Sequence, residues 1–397
     1  MLFGVNQQRT LMGKRNPLAR SAPKRSLFKA LILSLAIVGT LQSTGSHANC
    51  VTPLRELLAA SHKIASGTQK RSLKQIPELR FGTYNAYNLM GSADGKVAKA
   101  ESKRVGVASV ILDNNLDVVV LQEVENEAAL KQFASQYLND LYEPLMSRGN
   151  DQRGIQIAYL VKKDLPFQIE LLSHAKSTAT YPVTGNVQPI FSRDLPALKI
   201  WSESQDSKTE DPLVSFFGTH FKSKRDRGGD PESRILRGAQ VQAASEIIET
   251  EMQMHPKSFV MIAGDFNGDV RLEKEFDPLK RVLKDAFDMQ SRQMSDEERV
   301  THTFHPRGGA THYSQIDAFL VKDSDPALIK EARVYRYKDA AGQEKPIPDT
   351  YNAREENPSD HFPVLFNLDF QKLLNDRNLM PQASNLRLHS FEDELAA

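Results

Sequence analysis

The chain has 397 residues, 40% hydrophobic and 25% charged, with 51 basic and 50 acidic side chains for a net charge of +1. This is ordinary globular composition, enough for one large domain or two small ones. Its single cysteine, Cys50, excludes an intrachain disulfide and a cysteine-ligated zinc site.

Residues 1–48 stand apart from the rest. Arg9, Lys14, Arg15, Arg20, Lys24, Arg25 and Lys29 occur there without one acid, followed by an apolar run over 30–41 and then Ser46, His47 and Ala48. A basic start, a short apolar run and a small-x-small site read as a secretory signal cleaved near Ala48, so a secreted or periplasmic protein is expected. The rival is an uncleaved anchor, against which the run is short for a bilayer. Asn49 before Cys50 does not fit a lipoprotein cleavage box. Without residues 1–48 the chain holds 44 basic and 50 acidic residues, net −6. Attraction to a polyanion must then be local, and no membrane span is expected in the mature chain.

Residues 49–78 form a weakly patterned lead-in, and 371–397 a polar tail with a short helix and a loose end. Residues 80–88 alternate like a first strand, ending in Asn85 and Asn88. A helix follows over 99–115, with Val105, Ala108, Val110, Ile111 and Leu112 on its apolar face. The run over 117–121 reads as a strand buried on both faces, and it delivers Glu123. A glutamate leaving a buried strand needs a partner, either a lysine or a cation. A second helix spans 126–138. The loop over 147–154 carries Arg148 and Arg153 into a strand over 155–161.

Residues 173–199 include an edge hairpin, because Pro182, Pro189 and Pro196 oppose central strands. Residues 202–212 form an exposed turn. A strand over 213–219 delivers His220, with Lys222, Lys224, Arg225 and Arg227 following before two glycines. Asp230 and Pro231 then serve as N-cap and first position of a helix reaching Met254, with Leu236, Ala239, Ala243, Ile247 and Ile248 toward the core. The apolar strand over 259–263 ends in Gly264, Asp265 and Asn267; the last two point the same way from a strand end. Residues 271–300 read as helical and charged, 314–321 as a strand carrying Asp317, and 357–366 as a strand entered through Asp360 and His361. Strands separated by helices indicate a layered α/β fold, and with no Pro- or Gly-rich linker one catalytic domain is expected.

Each strand-end residue has a structural alternative: an asparagine closing a turn, an Asp-x-Asn bend, a solvated cation. Together they say more. Carboxylates and amides suit Mg²⁺ or Mn²⁺, with Ca²⁺ admissible. Two histidines suit proton transfer near neutral pH. No covalent nucleophile has a convincing setting. The set points to metal-assisted attack of water on a phosphate ester.

The segments Tyr84–Asn88, Leu121–Glu123, Gly264–Asn267, Ile316–Asp317 and Ser359–Pro363 also resemble, in order, the motifs of the endonuclease/exonuclease/phosphatase superfamily. The resemblance covers 79–370. The loop with Arg148 and Arg153, and the stretch from Thr219 to Lys224, look most like its secreted bacterial nuclease-like branch. It implies a four-layered α/β/β/α sandwich with two packed mixed β-sheets. It implies that Glu123 holds a divalent metal, helped by Asp360 and Asn85. Asp265 would activate water and Asn267 hold phosphate. His361, oriented by Asp317, would contact the scissile phosphate, and His220 would serve the leaving side. Arg153, Lys222 and Lys224 would bind substrate phosphates. Gln156 departs from the family, whose members often carry an acid there; if that acid pairs with His220, its charge is lost. A nucleic acid substrate, DNA before RNA, is expected, with no stable protein partner. The alternatives are a lipid or inositol phosphate head group, disfavoured by the lack of a clear exposed aromatic hairpin, and an inactive binding protein of the same fold.

Overall fold

The computed structural model describes residues 69–91, 98–307 and 309–379. The expected signal, Cys50 and the far end of the tail lie outside the described residues.

In chain order the elements are β1 (Glu78–Leu89), α1 (Glu101–Asp113), β2 (Val118–Val124), α2 (Glu127–Tyr137), β3 (Tyr142–Ser147), β4 (Gln156–Lys162) and β5 (Phe167–Leu172). Next come β6 (Thr178–Thr180), β7 (Val187–Pro189), β8 (Ala197–Ser202), β9 (Val214–His220), α3 (Arg234–Met254) and β10 (Phe259–Asp265). The last part holds α4 (Asp277–Val282), β11 (Leu283–Asp285), β12 (His302–Phe304), β13 (His312–Ser314), β14 (Asp317–Lys322), β15 (Ile329–Val334), α5 (Tyr351–Glu355), β16 (Val364–Asp369) and α6 (Phe370–Asp376). One six-stranded sheet has the order β15-β16-β1-β2-β4-β3, the other β11-β14-β10-β9-β8-β5. Both are mixed: β1 runs parallel to β2 and antiparallel to β16, and β10 runs parallel to β9 and antiparallel to β14.

The sheets pack face to face through aromatic rings. Phe81 and Phe366 of the first sheet meet Phe216, Phe319 and Phe259 of the second, with centroids 5.3–6.1 Å apart in the pairs Phe81–Phe216, Phe319–Phe366 and Phe259–Phe366. Such rings bury large areas and lock the sheets in one relative position. Outside the first sheet lie α1 and α2, which add Val107, Ile111, Leu130 and Phe133 to this core. Outside the second lies α3, whose Leu236, Val241, Ala244 and Ile248 cluster with Phe217, Val260, Ile262 and Leu320. The result is the expected α/β/β/α sandwich.

Four sequence expectations need correction. The hairpin within 173–199 exists as β6 and β7, but β8 is a fully buried strand between β5 and β9. Pro196 stands just before β8, where its missing N–H costs nothing, and its carbonyl accepts from the Gly218 amide. Of residues 271–300 only a 3₁₀ turn and Asp277–Val282 are helical, because β11 then pairs with β14. The long helix starts at Arg234, not Pro231: Glu232 and Ser233 are left-handed, and the Asp230 carboxylate instead accepts the Ile235 and Leu236 amides. Its buried face includes Arg237, Gln240, Ser245 and Glu251, whereas Ala239, Ala243 and Ile247 are only partly buried. Those polar groups are tolerated because each is answered; Arg237, for example, reaches Glu275 and the Lys222 carbonyl. A smaller shift exchanges Val105 for Val107 as a core residue of α1.

Gly264 adopts φ +154°, and a Cβ there would lie 1.9 Å from the Thr219 carbonyl oxygen on β9. Only glycine lets β10 approach β9 this closely at the strand end. Gly264→Ala is expected to destabilise the fold by about 3 kcal/mol in urea unfolding; a midpoint unchanged from wild type would contradict this.

Candidate active site

The parallel pairs β1/β2 and β9/β10 end at the same edge of the sandwich, where β14 and β16 begin. That edge is shaped by bulges. The β1–β2 register slips between Asn85 and Leu89, where Tyr87 and Asn88 are left-handed. The β2–β4 register slips between Leu121 and Val124, where Glu123 is left-handed at φ 63°. Bulges of this kind re-aim side chains at strand ends. The two are joined, since the Asn88 amide donates to Glu123 Oε2 at 3.0 Å.

In the second sheet Asp265 pairs in register with His220 on one side and Asp317 on the other. Its Oδ2 accepts from Asn85 Nδ2 at 3.0 Å, across the gap between sheets. The same oxygen lies 3.3 Å from His220 Nε2 and 3.9 Å from His361 Nε2. Its Oδ1 accepts the Asn267 amide at 2.8 Å. Asn267 is left-handed at φ 54°, and its Nδ2 donates to the Phe221 carbonyl. His361 is held from behind by Asp317, with Nδ1 2.8 Å from Oδ2. Ser359 ties this strand entrance to the first sheet, donating to the Asn85 carbonyl and accepting the His361 amide.

These contacts set the charges. Burial opposes the His361 imidazolium, but Asp317 and Asp265 outweigh it and raise His361 from 6.5 to about 10. Burial raises Asp265 to about 6, partly opposed by His361. His220 moves the other way: burial first, then Arg193, His361, Arg153 and Lys222, push it well below its usual value. One histidine is therefore a cation and the other neutral near pH 7. His220 Nδ1 is buried with no hydrogen-bond partner among the described residues. Gln156 does not supply one; its Oε1 accepts the Gly149 amide.

A divalent ion fits this edge on the chemistry of its donors. Burial raises the Glu123 carboxyl, with Asp360 and Asp265 adding repulsion. A cation beside it would relieve that charge. Asp360 lies near the same place, with Oδ2 4.0 Å from His302 Nε2 and 3.8 Å from an Arg354 terminal nitrogen. Asn85 is placed differently from expectation: its amide group is engaged by Asp265 and by the Tyr87 amide, so it chiefly orients Asp265. The exposed Lys224 has its ammonium 2.6 Å from a Glu273 oxygen, an ion pair that competes with phosphate for it. Lys222 carries no ion pair among the described residues, and burial plus Arg193, Arg227 and Arg153 lower its pKa. Arg153 lies beside Asp151, with Nε 3.5 Å from Oδ1.

Sequence reasoning missed three groups. Arg193 is buried, pairs with Asp151 at 3.2 Å and donates to the Phe221 carbonyl, bracing the segment after His220. Two charged residues, Arg193 and Asp194, between apolar stretches were the available signal. Lys99 donates to the Tyr87 carbonyl and is lowered to about 8 by burial and Lys103. His302 bridges His361 in a short antiparallel contact, with ring centroids 4.6 Å apart. Its position depends on a long-range pairing that local pattern does not reveal.

His361 contributes stability through its raised pKa: the gain is fully present below pH 6.5 and lost as pH rises through about 10. Asp317→Asn should lower the imidazole titration midpoint seen by NMR and shrink that alkaline loss. An unchanged midpoint would show that Asp317 is not its source.

The family model described as Endonuclease/Exonuclease/phosphatase family matches residues 82–361. A search of curated proteins gives no match. Similar solved structures include a truncated TDP2 of Caenorhabditis elegans, 18% identical over 73% of this chain and 97% of that one, with a TM-score of 0.48. An endonuclease/exonuclease/phosphatase family protein of Bacteroides thetaiotaomicron is 19% identical over 73% and 97%, with a TM-score of 0.47. D. rerio TDP2 complexed with single strand DNA product is 15% identical over 74% and 99%, also at 0.47. With the matched stretch spanning every motif at the strand-end edge, the chain belongs to the endonuclease/exonuclease/phosphatase family.

Proposed function

We propose that this protein is a metal-dependent phosphodiesterase, an exported nuclease that hydrolyses DNA by attack of activated water. The observation that carries the reading is the buried Asp265 carboxylate flanked by His220 and by the Asp317-supported His361. Asp265, ionised near neutral pH, orients the water and accepts its proton. The His361 imidazolium binds a non-bridging phosphate oxygen, and Asp317 keeps Nε2 facing the substrate. His220 is neutral, so it supports the site as a hydrogen-bonding group and not as a store of protons. Asn267 holds the phosphate from the other side of Asp265. Glu123, with Asp360, would hold Mg²⁺ or Mn²⁺, which when bound offsets negative charge on the phosphate.

Lys222 and the exposed Arg148 favour a polyanion over a small phosphate ester, despite the acidic net charge. Export rests on the pattern of residues 1–48, and N-terminal sequencing of the mature protein tests it: a start at Met1 would remove that part of the proposal. One observation favours a second substrate class. Phe304 and Tyr313 on the β12–β13 hairpin are 53% and 47% exposed, contrary to the expected lack of an aromatic hairpin. Such rings suit a lipid surface.

The purified protein should nick supercoiled plasmid with Mg²⁺ or Mn²⁺, stop on addition of EDTA, and lose about 10³-fold in rate with Asp265→Asn. A well-folded protein that leaves plasmid intact but releases head groups from phospholipid vesicles would replace the nuclease reading with the lipid one. Lys222→Gln should reduce the slope of log affinity for DNA against log salt by about 1. Lys224→Gln, by contrast, should change it little because Glu273 already takes that charge; equal effects of the two would reject this assignment.

A further inference from the structure

We propose that His302, Asp360 and His361 form a nitrogen-rich metal position beside the oxygen-rich one at Glu123, suited to Mn²⁺, Zn²⁺ or Co²⁺ more than to Mg²⁺. It rests on the reading of this edge as a metal-dependent centre. One ligand atom from each of the three residues lies within 4.8 Å of the others. His302 Nε2 is 4.0 Å from Asp360 Oδ2, and the His302 and His361 rings are 4.6 Å apart. The arrangement is fixed by the backbone, since His302 and His361 form a β-bridge and the Phe362 amide donates to the Thr301 carbonyl.

Three features suit the ring nitrogens to an ion. The His302 ring makes no hydrogen bond among the described residues, and its ion-pair contact to Asp360 is long. Its bridge to His361 sets the two rings side by side, so their nitrogens face one position. His361 Nδ1 is committed to Asp317, which leaves Nε2, 3.9 Å from Asp265 Oδ2, as the ring nitrogen open to an ion. A carboxylate behind a histidine is the arrangement that orients metal-bound imidazoles. The side chains of His302 and Asp360 remain 18% and 14% exposed, so an ion can reach them. Imidazole donors select borderline ions, while Mg²⁺ prefers oxygen and retains its waters.

The charges around the position are mixed. Arg354 from α5 sits 3.8 Å from Asp360 Oδ2, with its guanidinium over the Tyr351 ring. His305 also disfavours added charge on His302. Asp317 and Asp265, both beside His361, oppose that repulsion. The ion takes the place of the Nε2 proton on His361, so this nitrogen presents a proton to substrate in one state and an ion in the other.

The test is metal binding without substrate, so its result is separable from nuclease activity. The full chain, labelled with ¹⁵N-histidine, is loaded with one and then two equivalents of Mn²⁺ and read by pulsed EPR. Two coupled imidazole nitrogens are expected on one of the ions, and Co²⁺ should give visible bands of a nitrogen-ligated site. His302→Asn should remove one coupling and weaken that ion 10- to 100-fold. Glu123→Gln should leave both couplings in place. Absence of nitrogen coupling in the wild type overturns the proposal whatever the variants do. Coupling and affinity unchanged in a folded His302→Asn protein overturn the role of His302.

Discussion

A carboxylate buried where two sheets end is the constraint on which this structure depends. Asp265 is 2% exposed, and an ionised group in that position is costly unless every lone pair is answered. Asn85 and His361 reach it from the first sheet, Asn267 from its own turn, and His220 from the neighbouring strand β9. The two sheets are thus joined at their core by aromatic packing and at their edge by contacts to two buried carboxylates, Asp265 and Asp317. The arrangement is stiff because moving either sheet would break a buried hydrogen bond.

The same edge separates the histidines by charge. His361 gains its charge from two carboxylates that outweigh burial, and His220 loses its charge first to burial and then to nearby cations. Equal residue types with opposite environments give one proton-bearing group and one neutral group within reach of a single oxygen. Gln156 fits this balance. Its Oε1 turns to the Gly149 amide, and among the described residues no acid supports His220 Nδ1.

The strained backbone is placed where it aims side chains. Glu123 and Asn267 are both left-handed, at a bulge and just past a strand end, and Gly264 is in a conformation that only glycine holds comfortably. None of these lies in the aromatic interface between the sheets. Rigid packing there supports the local strain at the edge, so that the site does not relax into regular strand geometry.

The sequence by itself determined the strands that carry the site, because β2, β4, β9, β10, β14 and β16 are continuous apolar runs whose ends coincide with polar residues. It also marked Asp265, Asn267, His220, Asp317 and His361 as a candidate set, since chain order and local motif are visible without a fold, and these side chains meet at one edge. Only the tertiary structure decided what lies between them. The buried strand after Pro196 and the polar face of the long helix depended on partners hundreds of atoms away. So did the capture of Lys224 by Glu273, and the meeting of His302 with His361. A linear pattern records what a residue is and how it alternates with its neighbours. It does not record which distant group satisfies it, and the state of a charge is set by that group.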